Sequence, residues 1–234
     1  MNWNRQNPYL AKITSKKLLS GKQSNKEVFH YEISLGDSGI IYQPGDSLGI
    51  FPVNNNTLVR AIINRLQINP TYIPEGYDLN IYELLEKKFE ILTPTNRLIK
   101  FVNDNINHKE LNYSLDTKNI NILMDFKYGK DVLDFMNLDK NLKFDVLHFL
   151  TLLKPIQHRA YSIASSNLVY KNTVHLSVST QRWKRKARDY GGVCSTFLSD
   201  SCVLGDKVKI FLIPNKFFKL PEDQNKPIIM IGPG

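Results

Sequence analysis

The chain is almost without cysteine: Cys194 and Cys202 are the only two in 234 residues. Two are too few for a disulfide framework, and their spacing fits no zinc motif, so both are read as reduced thiols. Histidine is sparse as well. His30, His108, His148, His158 and His175 make no His-x-His or His-x-x-x-His pair, so a metal site built from them is not expected. No run approaches the ~18 consecutive apolar residues that a membrane-spanning helix needs. The start, Met1 to Pro8, is polar and lacks the apolar segment of a secretory signal, which points to a cytoplasmic address. There is no internal repeat.

What is present is a hydrophobic fraction of 42%, enough to bury a substantial core in one large domain or in one domain carrying an insertion. The net charge is +9. Such a charge suits an acidic electron-transfer partner, and it also follows from a composition loaded with Lys, Asn and Ile; both readings stay open.

The first third has strand patterning. Tyr9 to Leu19 and Val28 to Leu35 are separated by the turn-rich Ser20 to Lys26, and Pro44-Gly45-Asp46 makes a tight turn before Ser47 to Phe51. From Thr57 to Leu153 the apolar spacing becomes helical, as at Leu58, Ala61, Ile62 and Leu66, then Leu84, Leu85 and Phe89, then Phe144, Leu147, Leu150 and Leu153. Pro155 ends that pattern. Strands are expected again at Arg159 to Ser165, Thr173 to Thr180 and Lys207 to Ile213, so helices interrupt a β domain. Ile228 to Ile231 is continuously apolar and predicts a buried parallel strand leading into Gly232-Pro233-Gly234.

Four segments are candidates for chemistry. In Arg159-Ala160-Tyr161-Ser162, strand alternation points Arg159 and Tyr161 the same way, a pairing that suits a ligand with a flat ring and a phosphate. An ordinary edge strand would look the same. Gly191-Gly192-Val193-Cys194-Ser195-Thr196 is a glycine pair opening a short helix, where free amides and the helix dipole attract anions, glycine admits a pyrophosphate, and the Ser195 and Thr196 hydroxyls can add donors. A plain loop-to-helix junction fits too. The strand Thr173 to Thr180 could offer the main chain of Ser177, Val178 and Ser179 to a flavin edge, or simply be half-buried. The basic run Arg182 to Arg188 reads as a solvated loop, as a nucleic-acid contact, or as the place where Trp183 covers an adenine.

In order and spacing these segments resemble the diflavin reductases, the family of cytochrome P450 reductase, whose signature is Arg-x-Tyr-Ser. Asn7 to Lys12, Leu35 to Gly39, Tyr42 to Gly49 and Pro227 to Gly234 are most similar to the branch that serves assimilatory sulfite reduction. The resemblance runs from Asn7 to the end and is weakest from about Pro70 to Asn141. It implies an antiparallel β-barrel that binds FAD, of the ferredoxin reductase type, formed by residues 1–56 and 154–226. An all-α connecting insertion would occupy 57–153, and residues 227–234 would hold the first strand of a Rossmann-like NADPH-binding domain.

Carried to this sequence, the resemblance implies that Arg159 meets the FAD phosphates, with Ala160 beside it, that Tyr161 stacks on the isoalloxazine, and that Ser162 acts near the reactive N5. Ser177, Val178 and Ser179 would hold the ring edge. Trp183 would stack on adenine where relatives usually have Tyr, and Gly192, Val193, Cys194 and Ser195 would wrap the pyrophosphate, with Cys194 in place of a small Ala. In the family, NADPH gives a hydride to FAD, electrons pass to FMN in a flavodoxin-like domain, and for this branch FMN feeds a sulfite-reducing haemoprotein subunit. The expected partners are therefore that FMN domain, the NADPH-binding domain and the haemoprotein, with neither nucleic acid nor membrane. The chain is expected to bind FAD by itself without reacting with NADPH.

Overall fold

The computed structural model describes residues 3–116, 120–223 and 225–231. Three strands open the chain: β1 (Tyr9–Leu18), β2 (Glu27–Ser34) and β3 (Ser47–Phe51). Among the described residues seven helices follow: α1 (Asn56–Leu66), α2 (Ile81–Lys87), α3 (Asn96–Asn105), α4 (Lys109–Asp116), α5 (Ile120–Lys127), α6 (Val132–Met136) and α7 (Val146–Leu152). The short strands β4 (Phe89–Glu90) and β5 (Lys154–Pro155) pair with each other across that segment. Then come β6 (Arg159–Ser162), β7 (Thr173–Thr180), the hairpin of β8 (Arg182–Arg185) and β9 (Arg188–Gly191), α8 (Val193–Thr196) with a wider helical turn at Phe197–Ser201, and β10 (Lys207–Ile213).

Six strands form one antiparallel sheet in the order β6-β3-β10-β1-β2-β7. Its two outermost strands also meet: Ile163, just past β6, bridges Leu176 of β7, and the Ala164 amide donates to the His175 carbonyl at 2.9 Å. Alternation sets the faces. In β7, Val174, Leu176 and Val178 are buried while Ser177 and Ser179 are exposed. With Ile13, Ile33, Leu48, Ile50 and Ile210 they form one core, onto which α8 and its following turn lay Cys194, Leu198 and Cys202.

The helices bury a second, separate core around Ile62, Ile63, Leu85, Val102, Phe135 and Phe149. Their starts are set by side-chain caps. Asn55, Asn80, Thr95, Asp131 and Asp145 each accept the amide three residues on, satisfying a donor that the helix leaves unpaired. Among the described residues no helix is long and apolar enough to cross a membrane.

Three expectations are corrected. Ile228–Ile231 forms no strand and lies exposed, because a parallel strand needs a neighbour to pair its amides and none stands beside it among the described residues. The Gly232-Pro233-Gly234 loop lies outside the described residues. Phe89 belongs to β4, not to a helix, since pairing with Pro155 outweighs the local helical spacing. The basic run is no loop: it turns at Lys186, whose φ is +53°, and pairs β8 with β9.

Candidate active site

Pairing of β6 with β3 sets Tyr161 opposite Leu48 and Arg159 opposite Ile50, so the two side chains share one partly buried face. Ala160 and Ser162 point the other way and are exposed, with Ser162 opposite Ser47. Tyr161 packs against the core that holds Cys194 of α8, and the Cys194 thiol points to the Ile50 carbonyl at 3.9 Å. That packing joins the ring-bearing strand to the glycine-led helix. Burial pushes the Cys194 thiol up to about 11, against the pull of Tyr161, and burial also raises Tyr161, so both stay protonated at neutral pH. A buried neutral thiol of this kind packs and does not react.

Arg159 is held by a residue from the other half of the chain. Its guanidinium lies 3.1 Å from the Glu90 carboxylate, which is 1% exposed, and also donates to the Gln157 carbonyl at 3.0 Å. Glu90 is fixed in turn by the Leu92 amide at 3.0 Å. The Arg159 side chain is still 37% exposed, with Nη1 on the Gln157 carbonyl and Nη2 on Glu90, which orients the fork.

At the tip of α8 the first helical bond runs from the Thr196 amide to the Gly192 carbonyl at 2.9 Å, leaving the amides of Val193, Cys194 and Ser195 without an intrahelical acceptor. The hydroxyls are less free than the sequence implied. Ser195 and Thr196 both donate to the Gly192 carbonyl, at 3.2 and 2.9 Å, and Ser195 accepts from the Gln181 amide at 3.1 Å. The glycines have an internal reason as well: a Cβ on Gly191 would lie 2.3 Å from Thr196 Cγ2, and one on Gly192 would lie 2.9 Å from Ser195 Oγ.

Strand β7 pairs with β2 along its whole length, and among the described residues its other edge meets the chain just past β6 at Leu176 and His175. From Ser177 to Ser179 that edge has no strand partner among the described residues. Trp183 on β8 stacks on Tyr190 of β9, with ring centres 5.7 Å apart and planes at 11°, and donates to the Gly129 carbonyl at 3.2 Å. The hairpin is anchored on α6. Arg188 pairs with Asp131 and, at 3.1 Å, with Asp134, which also accepts from the Tyr190 hydroxyl at 2.9 Å. Burial raises the Asp131 carboxyl to about 6 in spite of the Arg188 hydrogen bond. Between hairpin and α1 lies a cleft of about 880 Å³, lined by Leu58, Trp183, Arg188, Tyr190, Gly191 and Thr196 among others.

Arg159, Tyr161 and Cys194 therefore come together, and Trp183 opens on a cleft that reaches Gly191 and Thr196, while Arg159 and Tyr161 do not line it. The reading of residue types missed Glu90, Asp131 and Asp134. The available signal was faint: single carboxylates set among apolar residues of the helical segment, whose partners lie far along the chain.

The FAD binding domain family matches residues 1–197. The chain belongs to that family. It is also similar to three proteins called sulfite reductase (NADPH) flavoprotein alpha-component. Identity is 35% to that of Mannheimia succiniciproducens and 32% to that of Bacillus subtilis, each over 100% of this chain and 39% of the relative. It is 34% to that of Vibrio parahaemolyticus, over 99% of this chain and 37% of the relative. The chain thus spans well under half the length of these relatives.

Proposed function

We propose that this chain binds FAD and is the flavin-holding part of an NADPH-dependent sulfite reductase flavoprotein. The whole protein relays electrons from NADPH through FAD and FMN to a haemoprotein that reduces sulfite to sulfide in the cytoplasm. Residues 1–56 and 154–226 form the FAD-binding barrel, residues 57–153 the connecting insertion, and residues 227–234 begin an NADPH-binding domain. Two separate cores and the Ile163–Leu176 bridge between the outermost strands support this division.

The residues present fit the cofactor. The amides of Val193, Cys194 and Ser195 and the part-exposed Arg159 suit the pyrophosphate, and Gly192 sets the turn into that helix. Tyr161 offers its ring to the isoalloxazine, flanked by Ala160, and the free edge of Ser177, Val178 and Ser179 matches donors and acceptors on the pyrimidine. Trp183 would cover the adenine, and the exposed Ser162 would hydrogen-bond near N5. FAD supplies the redox chemistry; these side chains orient it and exclude water. The observation that carries the reading is the packing of Tyr161 against the core that holds Cys194, which brings an aromatic ring, a guanidinium and a set of free amides to one place.

A nucleic-acid role for the basic run is disfavoured because three of its five cations are engaged in ion pairs. Arg182 pairs with Glu27 and Asp200, Lys184 with Asp189, and Arg188 with Asp131.

The test is an FAD titration of the full chain, followed by quenching of flavin and Trp183 fluorescence. Saturable binding of one FAD is expected, and Arg159→Ala should weaken it by about 1.5–3 kcal/mol, the worth of a charge-assisted hydrogen bond. Absence of saturable binding, or an Arg159→Ala affinity equal to the parent, would overturn the assignment.

A further inference from the structure

The face of the sheet opposite the strand core brings together three metal-ligating side chains that their sequence spacing kept apart. His30 and Glu32 are two residues apart on β2 and so share a face, and His175 on β7 stands directly opposite Glu32 in the register. His30 Nε2 is 3.6 Å from Glu32 Oε1, and the His30 and His175 rings meet edge to face with centres 5.1 Å apart. One donor atom from each residue can be chosen so that all three lie within 4.8 Å of one another.

A second observation points to a ligand. His175 is 7% exposed, and its Nε2 is fully buried with no hydrogen-bond partner among the described residues. A buried unpaired nitrogen is unfavourable and calls for a partner. The residue is also held in place: its amide donates to Ser165 Oγ at 3.0 Å, and the Tyr170 ring packs on its imidazole at 4.2 Å.

We propose that His30, Glu32 and His175 bind one divalent ion of the zinc class. Two imidazoles and a carboxylate are the donor set of a borderline ion; Mg²⁺ and Ca²⁺ prefer oxygen alone, and Cu⁺ prefers sulfur. Both cysteines lie in the core on the other side of the sheet. Donors about 2 Å from a tetrahedral ion sit roughly 3.4 Å apart. The His30–Glu32 pair at 3.6 Å is close to that already. No other pair has to close by more than about 1.4 Å. The nearest cation in the register is Lys17 of β1, opposite His30, and it is exposed and free to swing into solvent. The ion would clip β2 to β7, the strand that carries Ser177, Val178 and Ser179, with water in its fourth position. Nothing in this proposal depends on FAD binding.

The test uses the full chain, free of added histidines and stripped with a chelator. Titration with Zn²⁺ by calorimetry and with Co²⁺ by visible absorption should show one ion per chain, and Zn²⁺ should raise the thermal midpoint. His30→Gln and Glu32→Gln, both at part-exposed positions that tolerate substitution, should each weaken binding at least ~10-fold while circular dichroism stays unchanged. The proposal fails if no stoichiometric binding occurs by about 1 mM Zn²⁺, a dissociation constant too weak for a built site. It fails equally if either variant binds as tightly as the parent, which would put the ion on other histidines.

Discussion

The strand half and the helical half of this molecule divide the work unequally. The strand half presents Arg159, Tyr161, the edge of β7 and the tip of α8. The helical half presents none of these, yet it supplies Glu90 to Arg159, Asp131 and Asp134 to Arg188, and the Gly129 carbonyl to Trp183. One half carries the groups that would meet a ligand; the other holds them at fixed angles. A planar guanidinium binds an anion well only when its fork is already oriented, so the buried carboxylates of the helical half bear on the site without touching a ligand.

Separate cores make the comparison testable. Phe149 is fully buried in the helical core, so Phe149→Ala should cost about 3–5 kcal/mol in urea unfolding. Hydrogen exchange should then quicken from α1 to α7 while the amides of β1 and β2 keep their protection. Uniform loss of protection would mean that the halves fold as one unit. Next in size is the junction. Arg188→Ala would leave the Asp131 carboxylate buried without its partner. Because Arg188 is 33% exposed, the expected cost is about 2–3 kcal/mol, below that of a fully buried pair. Adding Asp131→Asn, which keeps a capping side chain at the start of α6, should recover part of that loss. If it recovers nothing, the pair does not couple the halves.

The same division governs what could be read from the sequence. Ser47–Phe51, Thr173–Thr180 and Lys207–Ile213 were legible to the residue because a period of two, bounded by turns, fixes both the ends and the buried face of a strand. That period also put Arg159 and Tyr161 on one face. The helical region was legible as helical, but α2 stops at Lys87 because Phe89 and Glu90 pair with Lys154 and Pro155, a contact no local window contains. The basic run looks solvated in isolation and becomes a hairpin through Arg188 and Tyr190 binding Asp134. Histidines without a pairing motif came together through strand register alone. What stayed hidden in each case was a partner distant in the chain.

Within the strand half, the turn at Asp46 offers a smaller effect with a definite pH signature. Its carboxylate, 4% exposed, accepts from Lys219 at 2.6 Å and from the amides of Asn215 and Gln43. Burial pushes this carboxyl up, but Lys219 and the two amides outweigh it and hold it below the ordinary range. A depressed folded value means stabilisation that is present above the unfolded value of about 3.9 and is lost as pH falls through the folded one. Asp46→Asn should therefore cost about 1.5 kcal/mol at pH 7 and converge on the parent as pH falls through the depressed folded value, measured by urea unfolding across pH. A gap that persists at low pH would mean packing rather than charge holds the turn.

The smallest effect sharpens the helical side. Helix α7 is only Val146–Leu152, too short to persist without tertiary contacts, and it carries Phe149, Leu150 and Leu152 into the core. Its start depends on Asp145, whose side chain accepts the His148 amide at 2.8 Å. Asp145→Ala should cost about 1 kcal/mol, and Asp145→Asn should be nearly neutral, because an amide oxygen caps as well as a carboxylate. The pair of variants separates two physical causes. Equal losses in both would assign the effect to the charge at the positive end of the helix dipole and not to the hydrogen bond, and that loss would shrink with added salt, whereas a lost cap would not.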